Sequence, residues 1–173
     1  MEREAWLSGN LKGVAPILMP AAHALVQAAL DIEQAGKDLT TEEIWTKPHG
    51  ASSFAFHLRH IGGSIDRLLT YVKGEKLNSE QFAELAAEAK FDENLDAQSL
   101  VQTASKRIEE AVNFICSVDL KSLFEKRVVG RKKLPTNVFG LLFHIAEHTQ
   151  RHTGQAITTA KIVHHQLLGG FSD

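Results

Sequence analysis

The stretch FAFHLRHIGGSIDRLLTYV, residues 54–72, places apolar side chains at Phe54, Leu58, Ile61, Ile65, Leu68 and Val72. Steps that alternate between four and three put all six on one side of an α-helix, the pattern of a helix packed lengthwise against others. Ser52 or Ser53 offers the hydroxyl that caps its first turn, and Gly74 ends it. Gly62 and Gly63 each cost such a helix about 1 kcal/mol relative to alanine, so they are expected to permit close approach of another helix or a ligand.

The same periodicity recurs on either side. Residues 11–36 bring Val14, Ile17, Leu18, Ala21, Leu25, Ala28, Ala29 and Ile32 to one face, with Gly36 closing the helix. From about Ala97 to Val118 the stripe is Leu100, Ala104, Ile108, Ala111, Val112 and Ile115. A fourth long helix begins near Thr136 or Asn137, where Pro135 suits a helix start, and runs to about His165 before Gly169 and Gly170. Between these, Leu39–Ser53 reads as a connection plugged by Trp45, and Ser79–Lys90 as a short helix followed by an acidic link. The segment from Asp119 to Pro135 turns at Gly130 and is either a short hairpin or an irregular loop with a solvated basic cluster. The expectation is one all-α domain over residues 1–173, a four-helix bundle with a long crossover between the second and third helices.

A formal net charge of -2 with both signs interspersed gives no footprint for nucleic acid and no polybasic membrane anchor. No apolar run approaches the roughly 20 residues of a membrane span. A single cysteine, Cys116, forms no internal disulfide and is read as a small core residue; with an N-terminus that lacks a signal pattern, a cytoplasmic protein acting on a small-molecule substrate is expected.

Function is sought in the histidines, of which there are nine. In LLFHIAEHTQRHTGQAI, His144, His148 and His152 follow one another at steps of four. At about 100° per residue from Leu141, Ile145 falls near 40°, His148 near -20° and His152 near 20°, whereas His144 falls near -60°, at the edge of the stripe. The His148 and His152 pair therefore points inward, and each step of four climbs about 6 Å, too far for one ion to take all three. Imidazoles buried without partners cost about 1–3 kcal/mol per polar group, and metal coordination satisfies one nitrogen on each ring. The third ligand comes from His57 or His60. The wheel favours His57, about 60° from the seam centre against about 120° for His60.

Two other metal motifs fit less well. His144, Glu147 and His148 spell H-x-x-E-H, but His144 lies off the seam, no distal glutamate follows, and Glu147 projects away from the stripe. A di-iron carboxylate bundle needs Glu-x-x-His pairs, and no glutamate here has a histidine three residues later.

AFHLRHIGGSIDRLL, with His60 ahead of Asp66, and HIAEHTQRHTGQA, with His148, His152, Gly154 and Gln155, together resemble the two signatures of the DinB/YfiT-like superfamily of candidate metalloenzymes. The loop holding Trp45, Pro48 and Gly50 is similar to that family's as well. The resemblance implies a four-helix bundle, often a homodimer, with zinc or nickel on three histidines near one end. It assigns the third ligand to His60, leaving His57 as an alternate or supporting residue.

Three neutral histidines leave a coordination position open, the pattern of a catalytic metal that lowers the pKa of a bound water or thiol. Relatives implied by the resemblance include S-transferases for low-molecular-weight thiols, so one expectation is attack by an external thiol on an electrophilic carbon. The alternatives are a metal-dependent hydrolase, with Glu147 or Asp66 as base or orienter, and a non-catalytic metal-binding stress-response or interaction protein. A metal-free dimerisation module is a further possibility. Arg59 and Arg151 flank the clusters as surface cations or as contacts for an anionic substrate. Imidazole suits zinc, nickel, copper and iron alike.

Overall fold

The structure, a computed structural model, describes residues 3–167. In chain order it forms α1 (Met19–Gly36), α2 (Thr41–Trp45), α3 (Phe54–Val72), α4 (Ser79–Ala87), α5 (Ala97–Ser117), β1 (Lys126–Val129), β2 (Leu134–Asn137) and α6 (Val138–Leu167). The expected four-helix bundle is therefore corrected: the described residues form six α-helices and an antiparallel two-stranded hairpin. The four long helices are present, but local chemistry folds the connections as well. Thr40 and Glu43 close a reciprocal capping box that makes a helix of α2, where a plain connection was expected. In the hairpin, Lys126 pairs with Asn137 and Val129 with Leu134, and Gly130 at φ +69° turns the chain. Pro135 and Thr136 consequently lie in β2, and α6 starts at Val138 after the Asn137 side chain accepts the Gly140 amide. Gly169 and Gly170 fall outside the described residues.

Each long helix packs on two others: α3 and α1 both lie against α6 and against α5. The seam read at residues 54–72 forms this interior, with Phe54, Leu58, Ile61 and Ile65 buried and Leu68 only partly so. Each such side chain contributes about 1.5–3 kcal/mol of burial. Ile17 is half exposed, because the chain before Met19 is a 3-10 turn begun by Pro16 rather than a continuation of α1. Cys116 is a second correction: it is exposed, on the solvent side of Ile115, with its Sγ 3.8 Å from the Lys12 carbonyl. No helix among the described residues is long and apolar enough to cross a membrane.

The short helix α4 is tied to α3 by side-chain hydrogen bonds. Asn78 and Gln81 form its capping box, and the buried Gln81 side chain donates to Asp66 Oδ2 at 2.6 Å and to Thr70 Oγ1 at 2.8 Å. These bonds clamp α4 onto α3 and deliver its C-cap residue, Glu88, to the interior.

Candidate metal centre

Four histidines converge where α3 meets α6. His60 Nε2 lies 2.9 Å from His148 Nε2, and His57 Nδ1 lies 3.1 Å from His152 Nδ1. The rings of His60 and His152 are 4.4 Å apart, and those of His148 and His152 4.6 Å. Helical spacing explains the two sides: residues three apart on α3 and four apart on α6 share a face. Phe56 supplies a wall, stacked on His60 with ring centres 5.4 Å apart and edge-on to His57 and His152.

Ring nitrogens of His60, His148 and His152 all fall within 4.8 Å of one another, so this trio could hold an ion. His144, Glu147 and His148 form a second such group that shares His148. His57 is the most buried of the four histidines, as the helical wheel implied, but it meets His152 through Nδ1 and is not one of the trio.

The protonation pattern suits a cation. Burial, the largest cause, and the neighbouring His60 push His57 and His148 down to about 4 and His152 down to about 3. All three are neutral imidazoles near pH 7, each with one nitrogen free to donate a lone pair. His60 Nδ1 donates to Glu88 Oε2 at 2.7 Å, so in a neutral ring its Nε2 is a bare lone pair aimed at His148. Two facing Nε2 atoms satisfy each other only if one carries the proton, whereas a cation between them uses both lone pairs. The donor set thus fits a borderline-soft divalent metal. His148 Nδ1 is buried and unpartnered among the described residues.

Glu88 is the residue that the sequence pattern does not single out. It is buried, and its Oε1 stands 2.8 Å from Arg67 Nη2, an ion pair that is not aligned as a hydrogen bond. Gly63 makes room for this pair: a Cβ there would come within 2.6 Å of both Arg67 Nη1 and Glu88 Oε1. At Gly62 the nearest atom, Arg107 Cγ, would be 3.5 Å away. Of the two glycines, only Gly63 is closely approached, and a side chain there would have to displace the tips of Arg67 and Glu88.

Other sequence candidates are engaged elsewhere. Asp66 accepts from Gln81 and lies 3.5 Å from Arg107, so it fastens helices together instead of facing the histidines. Glu147 is held by Arg151 at 2.6 Å and by His144 at 2.6 Å, and these partners keep its carboxyl below the usual range despite partial burial. Arg59 donates to the Lys90 carbonyl. A cavity of about 730 Å³ opens beside His57 and Arg151, with Gly154, Gln155 and Thr158 of α6 on its wall, so the flank of the cluster is reachable from outside.

Residues 24–156 match the family profile of the DinB superfamily. A solved structure described as that of a conserved protein from Enterococcus faecalis superposes with a TM-score of 0.58, covering 83% of this chain and 95% of that one. The two are 16% identical, so this likeness shows the fold alone. No functionally curated protein matches the sequence.

Proposed function

The chain belongs to the DinB superfamily, and from that premise we propose that His60, His148 and His152 hold one divalent ion, zinc or nickel, in a metal-dependent enzyme that activates a small thiol or water. The supporting observation is the chain of contacts Arg67–Glu88–His60–His148, which aims Nε2 of His60 on α3 at Nε2 of His148 on α6. Carboxylates that fix the tautomer and orientation of a ligating histidine are the usual companions of such sites. When bound, the ion supplies Lewis acidity and favours the deprotonated form of a water or thiol near neutral pH.

The chain's own residues do the rest. Glu88 keeps the proton of His60 on Nδ1, and Arg67 pairs with Glu88 and holds it in place. With the shared proton on His152 Nδ1, His57 accepts it at 3.1 Å and His152 Nε2 is left to ligate, the tautomer that casts His57 as a supporting residue. Phe56 covers the site on one side. The cavity beside His57 admits a small-molecule substrate. Cys116, on α5, is not among the site residues, so a reacting thiol arrives from solution as a low-molecular-weight compound. We place the protein in the cytoplasm as a single domain acting as a homodimer.

The test is elemental analysis of untagged protein, wild type and with His57, His60, His148 or His152 changed to alanine. About one ion per chain is expected, lost in the variants of the trio and retained, though held less tightly, in His57→Ala. Protein that takes up neither zinc nor nickel when supplied overturns the reading, and loss in His57→Ala with retention in His60→Ala reassigns the third ligand. Turnover of an electrophile only when a thiol is added distinguishes S-transfer from hydrolysis.

A further inference from the structure

We propose that the cleft between the β-hairpin and the C-terminal end of α3 binds a small nucleotide-class ligand, phosphate groups joined to a planar aromatic base. The cleft has a volume of about 610 Å³, within the range of small-molecule sites, and shares no lining residue with the histidine cluster. Its charge is one-sided. Lys76 from the α3–α4 turn and Lys126, Arg127, Arg131 and Lys133 from the hairpin line it against a single acid, Glu75.

Arg127 is committed to structure, donating from Nε to the Val72 carbonyl at 2.6 Å and pairing with Glu125. It thereby fastens the hairpin to the end of α3 and sets the width of the cleft. Lys76, Lys126, Arg131 and Lys133 take part in no ion pair among the described residues. Like charges held around one concavity repel each other, and an anion placed among them relieves that repulsion. The exposed, rotatable ammonium groups suit phosphate, to which lysine binds as a point charge.

The remaining wall is apolar and aromatic: Tyr71, Leu77, Phe82 and Val128. Phe82 and Val128 are large apolar side chains left half exposed, and the Arg131 guanidinium already sits 5.9 Å from the centre of the Phe82 ring. A flat π-surface laid against Phe82 and Arg131 satisfies both, because rings stack on either group. Phosphates toward the lysines and a base toward Phe82 is the arrangement that uses both halves of the cleft. Nucleic acid uses the same chemistry, but the cleft is of single-nucleotide size and the chain as a whole carries net negative charge.

The test is calorimetric titration of the full-length protein, in magnesium-free buffer, with adenosine diphosphate, pyrophosphate, adenosine and a short single-stranded oligonucleotide. Adenosine diphosphate is expected to bind at submillimolar concentration and to weaken as salt is raised. Pyrophosphate and adenosine are each expected to bind at least about tenfold more weakly, since each fills half of the cleft. The double variant Lys126→Glu/Arg131→Glu and, on the opposite wall, Lys76→Glu should each lose about tenfold or more in affinity. Phe82→Ala should weaken the nucleotide and leave pyrophosphate unchanged. Circular dichroism checks the fold of each variant, and Lys76→Glu keeps the test alive should the hairpin variant misfold. His148→Ala should retain nucleotide binding. Absence of binding at several millimolar, affinity unaffected by the charge reversals, pyrophosphate bound as well as the nucleotide, or loss in His148→Ala overturns the proposal. Tighter binding of the oligonucleotide also overturns it, making the cleft a nucleic-acid surface.

Discussion

Glu88 Oε2 lies 2.7 Å from His60 Nδ1, across 28 residues of sequence, and this contact links the short helix α4 to the histidine cluster. It converts a face of α3 into an oriented donor, because a carboxylate acceptor decides which ring nitrogen carries the proton. The same carboxylate is the counter-ion of Arg67, so one side chain serves both the interior ion pair and the site.

Replacement of Glu88 by glutamine separates these roles. Removing the charge leaves Arg67 buried without a counter-ion, at a cost of about 3–5 kcal/mol for a fully buried pair. It also weakens control of the His60 tautomer, and about a tenfold to hundredfold loss of metal affinity is expected. Denaturant unfolding of the metal-free protein and competition titration with a chromophoric chelator measure the two effects. Unchanged metal affinity would show that Glu88 serves only the ion pair.

The two glycines of α3 make opposite predictions. Gly62→Ala places a methyl in ordinary contact with Arg107 and gains helix propensity, so stability should rise by up to about 1 kcal/mol. Gly63→Ala pushes on Arg67 and Glu88 together, and displacement of the buried pair should outweigh the propensity gain, giving a net loss of about 1–3 kcal/mol with weaker metal binding. Urea unfolding of both variants decides it, and stabilisation by Gly63→Ala would show that the pair moves aside at little cost.

How far the sequence discloses this arrangement depends on the range of the interaction. The seam of α3 is legible because a helix repeats its burial every three or four residues, and the inward turn of His148 and His152 follows from the same arithmetic. The grouping of His60, rather than His57, with His148 and His152 does not follow from it. The wheel measures distance from the centre of the apolar stripe, and the trio converges at the flank, so the deeper His57 lies beside His152 and the partly exposed His60 beside His148. Glu88 cannot be told from Glu80 or Glu84 by pattern, since its burial depends on Gln81 docking α4 onto Asp66 and Thr70. The box of Thr40 and Glu43 is present in the sequence, yet α2 escapes a periodicity reading because five residues carry too little repeat to register. Cys116 reads as core from its residue type, whereas its place one step beyond Ile115 turns it outward.

Attachment of the hairpin rests on Arg127. Its Nε donates to the Val72 carbonyl at 2.6 Å, one of the terminal carbonyls that α3 cannot satisfy internally. Arg127→Ala should cost about 1–2 kcal/mol and should act locally, raising amide hydrogen exchange across residues 126–137 while α3 and α6 near the histidines keep their protection. Exchange that rises equally throughout would mean that the hairpin is part of the cooperative core.

Acid should destabilise the metal-free protein through the histidines. His57, His148 and His152 titrate at about 4, 4 and 3 in the folded chain, chiefly because burial disfavours the imidazolium, and near 6.5 once unfolded. Between those values the unfolded state binds more protons than the native state, so stability increases with pH across that interval. Their stabilising effect is complete above about pH 7 and is lost progressively as pH falls through about 6.5 toward 4. The three rings repel one another when charged, and partial solvent access screens the effect, so a fall of about 5 °C or more in Tm between pH 7.5 and 5 is expected. Differential scanning calorimetry of chelator-treated protein measures it. His57→Phe, which removes one buried titrating ring while filling its volume, should flatten the pH dependence by roughly a third. A Tm that holds steady down to pH 5 in the wild type would mean that the imidazoles gain protons without strain, and that the cluster is more solvated than its geometry indicates.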